Sequence, residues 1–131
     1  MKLIEATQGC VGMGYVRVKG LIGRRREKLK EIESLVDTSA FYTIVPPGLA
    51  AELGLEPQEI ASLVLADRLT VEAGITVACI KPLDREGVVP VAILETPELL
   101  LGAIALEGLG LRVDPATGAL EHSRPYGLTA L

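Results

Sequence analysis

One aspartate in this chain has a setting that suits acid or base chemistry. The segment Glu33 to Pro47 reads ESLVDTSAFYTIVPP, and Asp37 lies in it between apolar residues and two hydroxyl residues. A carboxylate near buried surface costs several kcal/mol unless amide groups, hydroxyl groups or a proton offset that cost. The ordinary alternative is an Asx turn, in which the Asp37 oxygens accept hydrogen bonds from the amides of Ser39 and Ala40.

The other reactive residue types do not form a second site in the sequence. A nucleophilic Ser39 would need a base, and the single histidine, His122, has Glu121 as its nearest acid. Cys10 and Cys79 are too far apart and too few for a zinc site, so we expect no metal and no other cofactor. The glycines of GCVGMG do not open a helix after a clear strand, as a dinucleotide-binding motif requires.

The composition limits the partners and the location of the protein. The chain has 131 residues and a net charge of −4, which predicts a single domain over residues 1–131 and argues against nucleic acids or membranes as partners. The basic run Arg24-Arg25-Arg26 is predicted to be a solvated turn. The chain has no apolar stretch of about 20 residues and no signal peptide, so we expect a cytoplasmic protein with reduced cysteines.

The pattern of β-branched and alternating residues predicts a mostly β chain. Strands are expected in GYVRVKGLIG, SLVDT, FYTIV, IASLVLAD, LTVEAGITVACIKPL and GVVPVAILE. The charged run RRREKLKEIE is interpreted as a hairpin arm rather than a helix. LRVDPATGALE predicts a further hairpin, with Pro115 and Gly118 in its turn. Since only 3% of the residues are aromatic, the core should be aliphatic.

Two short helices complete the predicted elements. GLAAELGL should form the first helix and end at Gly54, and AIALEGLG should form the second and end at Gly110. Thr96-Pro97-Glu98 is interpreted as a helix start. Residues 1–15 are expected to be an N-terminal loop and residues 121–131 a tail. The fold class is therefore all-β, a barrel or sandwich with two short helices.

The order of these elements resembles that of the retropepsin-like (clan AA) aspartic proteases, in particular the small prokaryotic and archaeal ones. The tetrapeptide DTSA is similar to their D-T-G-A active-site loop. Further along, LLG followed by a helix resembles the element that runs beneath that loop, and GLRVDPATGAL resembles their final hairpin. The corresponding residues are Asp37, Thr38, Ser39 and Ala40 in the loop and Leu100, Leu101 and Gly102 beneath it.

The resemblance implies a closed retropepsin-like β-barrel that assembles as a homodimer, because the chain has one such loop. Asp37 of each chain would share a proton and activate a water molecule that hydrolyses a peptide bond. Thr38 would hydrogen-bond across the two-fold axis, and a flap between Ala66 and Val89 would close over the substrate. The implied activity is that of an aspartic endopeptidase, whose substrate is a peptide or an unfolded protein.

The chain departs from the family pattern at two places. Ser39 stands where the family has glycine, and the first glycine after the dipeptide Ala66-Asp67 is Gly74. A second hypothesis is therefore a non-catalytic dimerisation or peptide-binding module with the same fold, weakened by the serine. A third is an unrelated small β-barrel in which Asp37 has a structural role.

Overall fold

The computed structural model describes residues 16–65 and 67–125, and in these ranges it contains nine strands and two helices. The elements in chain order are β1 (Arg17–Arg25), β2 (Lys28–Val36), β3 (Thr43–Val45), α1 (Pro47–Leu53), β4 (Glu59–Val64), β5 (Thr70–Lys81), β6 (Gly87–Ile93), β7 (Leu100–Leu101), α2 (Ala103–Leu109), β8 (Leu111–Val113) and β9 (Leu120–His122).

Seven of these strands form one sheet in the order β1-β2-β7-β3-β6-β5-β4. A further pairing of β1 with β5 closes six of the strands into a ring, and β4 extends from β5 outside that ring. Most neighbours are antiparallel, whereas β2 with β7 and β3 with β6 are parallel. The expectation of a mostly β chain with two short helices is confirmed.

The charged run RRREKLKEIE forms the end of β1, the turn and most of β2, so it belongs to a hairpin, as predicted. Strands β1 and β2 pair in antiparallel register from Arg17 opposite Leu35 to Arg25 opposite Lys28. All three arginines are exposed, as the predicted solvated turn requires, but Arg24 and Arg25 belong to the end of β1 and only Arg26 lies in the turn itself. Arg26 pairs with Glu86 at this end of the hairpin.

The main core is aliphatic, as the low aromatic content predicted, and it includes residues of the ring strands and of both helices. Its least exposed members include Val45, Val91 and Ala105, each at 0%. Burying a valine or leucine side chain fully stabilises a fold by about 1.5–3 kcal/mol. A smaller buried cluster of Leu35, Ile44 and Leu100 lies next to the Asp37 loop.

The helix ends agree with the prediction, but one helix start does not. Helix α1 ends at Gly54 and α2 ends at Gly110, both with left-handed backbone. The interpretation of Thr96-Pro97-Glu98 as a helix start is wrong, because α2 begins at Ala103. The buried strand β7 comes between them, and its backbone groups pair with β2 and β3 rather than with a helical turn.

The end of the chain forms the predicted hairpin. Strands β8 and β9 pair through Val113 opposite Leu120, and Gly118 has a φ of +71° in the turn. The predicted tail therefore begins within β9, and residues 126–131 lie outside the described part. The predicted N-terminal loop at 1–15 and Cys10 also lie outside it. Cys79 is buried in β5, and burial raises the pKa of its thiol. None of the described helices is long and apolar enough to cross a bilayer.

The loop between β4 and β5 contains an arginine in a conformation that favours glycine. Arg68 has a φ of +70°, and its amide donates to the Leu65 carbonyl at 2.9 Å. Left-handed backbone costs a residue with a Cβ about 1–2 kcal/mol. The tip of this hairpin therefore has a left-handed backbone conformation at a residue that is not glycine.

We therefore expect Arg68→Gly to raise the free energy of unfolding by about 0.5–1 kcal/mol, because the relieved strain exceeds the extra freedom of glycine in the unfolded chain. Urea denaturation measures this difference. Arg68→Ala is the matched control, since it removes the same side chain but keeps the Cβ and the strain. Equal stabilisation by both variants would show that the side chain, not the backbone, is responsible.

Candidate functional site

Backbone hydrogen bonds join the Asp37 loop, residues 37–42, to the segment 101–104 at the start of α2. The Asp37 amide donates to the Leu101 carbonyl at 2.9 Å. Two amides at the start of α2 then donate to the far side of the loop, Ala103 to the Ala40 carbonyl at 2.7 Å and Ile104 to the Phe41 carbonyl at 3.1 Å. These contacts satisfy amides at a helix start that have no partner within the helix. The loop at Asp37 and the segment that follows Leu100, which the sequence analysis related to each other, are thus in direct contact.

Gly102 is the point of closest approach between these two segments. Its amide donates to the Thr43 hydroxyl at 3.1 Å. A Cβ atom on Gly102 would lie 2.2 Å from the Tyr42 carbonyl oxygen and 2.5 Å from the Tyr42 carbonyl carbon. Such distances are impossible for a side chain, so glycine is required here for space. Leu100 and Leu101, which form β7 directly before Gly102, are both buried.

Asp37 is buried, with 7% of its surface exposed, and its two carboxylate oxygens have different surroundings. Oδ1 accepts hydrogen bonds from the Ser39 amide at 3.3 Å and from the Ser39 hydroxyl at 3.0 Å. Oδ2 is buried, and no described residue donates a hydrogen bond to it. Leaving a buried carboxylate oxygen without a donor is costly.

The expected Asx turn is therefore present, but it provides hydrogen-bond donors to only one of the two carboxylate oxygens. The Ser39 amide donates to the side chain, whereas the Ala40 amide donates to the Asp37 backbone carbonyl at 3.1 Å. This turn satisfies Oδ1 and offers nothing to Oδ2. A structural role in the turn does not account for the second oxygen.

The other three aspartates lie in or beside turns, as their sequence context predicted; Asp67 and Asp84 are exposed and Asp114 is half-buried. The Asp67 carboxylate accepts from the Leu69 amide at 3.1 Å. The Asp114 carboxylate accepts from an amide and a hydroxyl of its own turn, and these bonds lower its pKa. A hydrogen bond to His122 lowers the pKa of Asp84. Among the described aspartates, only Asp37 combines burial with an oxygen that lacks a donor.

Ser39 adopts an ordinary backbone conformation despite standing where the resembled family has glycine. Within the described ranges, Arg68 is the only residue other than glycine with positive φ. The serine therefore causes no backbone strain, and its hydroxyl points at the Asp37 carboxylate. Thr38 is exposed at the top of the same turn, and Ala40 is buried beneath it.

A cleft of about 720 Å³ opens beside this loop. The loop contributes residues 39–42, the β4–β5 hairpin contributes Ser62–Leu65 together with Asp67 and Val71, and Ile44, Leu94 and Glu95 complete the lining. Asp37 does not line the cleft itself, although Ser39 and Ala40 do. A volume of this size suits several side chains of a peptide.

The sequence did not single out most of the residues that line this cleft. Phe41 lines the cleft and is 62% exposed, with its ring edge-to-face on Tyr42 at 5.2 Å. Val64 on the β4–β5 hairpin lines the cleft as well and is 72% exposed. Alternating apolar residues in a strand do not reveal which face is open to solvent, so only the structure identifies this apolar wall.

The residues described in the structure include no group of three or more histidine, cysteine, aspartate or glutamate side chains that could hold a metal ion. A comparison with protein-family models finds no match, and neither does a comparison with curated proteins.

Proposed function

We propose that this protein is an aspartic endopeptidase of the retropepsin-like type, which works as a homodimer with Asp37 of each chain at the two-fold axis. The observation that carries this proposal is the buried Oδ2 of Asp37, to which no described residue donates. In a dimer whose loops turn Oδ2 toward the two-fold axis, a second Asp37 that shares a proton with the first would supply the donor that the single chain does not. A carboxylate pair about 3 Å apart holds one proton between them, because both cannot ionise together.

The proposed reaction uses the two carboxyl groups in different roles. The ionised Asp37 would take a proton from a water molecule while the water oxygen bonds to the carbonyl carbon of the peptide. The protonated Asp37 of the second chain would give its proton to the carbonyl oxygen, which forms a neutral diol. The carbon–nitrogen bond then breaks as the nitrogen takes up the proton that came from the water, and a diol proton returns to the second carboxylate. No covalent intermediate with the protein is required.

The cleft supports binding of an extended substrate. Strand β4 pairs with β5 along one edge, and no described strand pairs with its other edge. Residues 62–65 at the end of β4 line the cleft next to Ser39 and Ala40. A peptide added along a free strand edge gains main-chain hydrogen bonds whatever its sequence. We propose that the β4–β5 hairpin acts as the flap, which therefore begins before the predicted segment at 66–89.

One observation favours a second candidate, a non-catalytic module that binds peptides or mediates dimerisation. The Ser39 hydroxyl donates to Oδ1 of Asp37 at 3.0 Å, and a glycine would leave that position open. An oxygen already engaged by its own chain is less available to a water molecule. The same fold and dimer would then serve binding without hydrolysis.

Cleavage and oligomeric state together test the proposal. We expect the purified protein to sediment as a dimer at micromolar concentration and to cut an unfolded casein-type substrate with an acid-leaning pH optimum. A pepstatin-like inhibitor should slow that cutting. A stable dimer that never cleaves would favour the second candidate, and a strict monomer would exclude both.

The role of the serine hydroxyl is tested by two matched variants. We expect Ser39→Gly and Ser39→Ala to cleave about fivefold faster than the wild type, since each removes one hydrogen bond of about 1 kcal/mol to Oδ1 and keeps the amide donor. Initial rates on one unfolded substrate measure the effect. An increase in the glycine variant alone would assign the effect to the serine Cβ, and slower cleavage in both would contradict the prediction.

A further inference from the structure

We propose that the cleft selects peptides that carry a lysine or arginine beside apolar side chains, and that Asp67 and Glu95 provide this selection. This inference rests on the proposed function, because it names the substrate class of the same cleft. It starts from the charges in the lining, which contains two carboxylates and, among the described residues, no lysine or arginine.

Both carboxylates are available to a ligand. Asp67 and Glu95 are exposed, and neither forms an ion pair with a described basic residue. Asp67 accepts the Leu69 amide through Oδ1, which holds the side chain in the hairpin loop and leaves Oδ2 for a cation. Glu95 comes from a different part of the chain, directly after Leu94, whose amide donates to the Val45 carbonyl at 3.1 Å. The negative charge of the cleft is therefore supplied by two separate segments.

The rest of the lining suits the remaining parts of such a peptide. Phe41, Leu63, Val64, Val71 and Leu94 give the cleft an apolar wall. Lysine and arginine side chains pack their methylene stems on apolar surface while the charged end reaches a carboxylate or water. A peptide of apolar and basic residues thus matches the lining, whereas an acidic peptide would place like charges together. Since exposed ion pairs contribute up to about 1 kcal/mol each, we expect about tenfold discrimination from two carboxylates.

Binding to a catalytically inactive background tests this inference separately from cleavage. The probes are fluorescein-labelled peptides with a Phe-Leu centre flanked by lysine, glutamine or glutamate, and anisotropy reports their affinity for Asp37→Asn at neutral pH. We expect the lysine peptide to bind about tenfold more tightly than the glutamate peptide, with a smaller difference at high salt. Adding Asp67→Asn and Glu95→Gln should remove the preference, because both changes keep the side-chain shape and the asparagine can still accept the Leu69 amide.

The matched control carries Asp84→Asn and Glu107→Gln, which change the net charge equally but do not line the cleft. It should keep the preference for lysine. Three outcomes would overturn the inference. They are equal affinity for the three peptides, no binding of any of them, and a preference for lysine that survives loss of both cleft carboxylates. If the wild type fails to cleave while charge selection persists, the proposed function fails alone. If it cleaves all three peptides equally well, the inference on selectivity fails alone.

Discussion

In the Asp37→Asn variant we expect hydrolysis of unfolded substrates to fall by about a thousandfold or more, because a positioned acid and base together supply a rate factor of that order. Asparagine has the shape of aspartate, but it can neither take a proton from water nor share one with residue 37 of the second chain. Each dimer would lose both groups, since every chain contributes its own Asp37. Initial rates at the pH optimum, compared with the wild type, measure the loss.

The fold should survive this substitution. An amide is less costly to bury than a charged carboxylate, and Oδ2 has no described donor to lose. We therefore expect the midpoint of urea unfolding at neutral pH to stay the same or to rise. Asp84→Asn is the matched control, because it makes the same change at an exposed site in the loop between β5 and β6 and should keep full activity. Cleavage that persists in Asp37→Asn would remove Asp37 from the mechanism.

The Gly102→Ala variant should lose about 3 kcal/mol or more of unfolding free energy, a large effect for the addition of one methyl group. The new Cβ would lie 2.2 Å from a carbonyl oxygen and 3.0 Å from another, that of Ala40, and both belong to backbone that cannot swing aside. Relief requires the Asp37 loop to separate from the start of α2. Cleavage should therefore fall along with stability. Urea unfolding followed by circular dichroism measures the first effect.

Gly108→Ala is the control for this prediction, since it makes the same change six positions later, within the helix α2 that follows Gly102. A Cβ there would meet no atom within 4 Å. Alanine is favoured over glycine within a helix by about 0.5–1 kcal/mol, so this variant should be more stable than the wild type. Opposite signs for the two variants are expected. If both destabilise equally, close packing at Gly102 is not the cause.

Local sequence patterns predicted most of the strands, the two short helices and a distinctive setting for Asp37. Local patterns suffice for this, because period-two apolar runs, charged hairpin arms and helix-ending glycines such as Gly54 and Gly110 act over a few neighbouring residues. They also indicated that Asp37 differs from the other aspartates, since it lies between two predicted strands rich in apolar residues whereas the others lie in turn contexts. One local signal misled: Thr96-Pro97-Glu98 has the residue types of a helix start, yet the pairing of β7 with β2 and β3 keeps the next residues extended.

The surroundings of the carboxylate and the cleft beside the loop could not be predicted from local sequence patterns. The two oxygens of Asp37 differ because the serine turn reaches one of them, and the cleft exists because β4, which lies outside the ring, brings Asp67 and Val64 beside Phe41. Contacts between segments far apart in sequence set these features, and no local pattern encodes them. For the same reason Gly102 has a recognisable place in a sequence motif, but its necessity follows from the distance to the Tyr42 carbonyl.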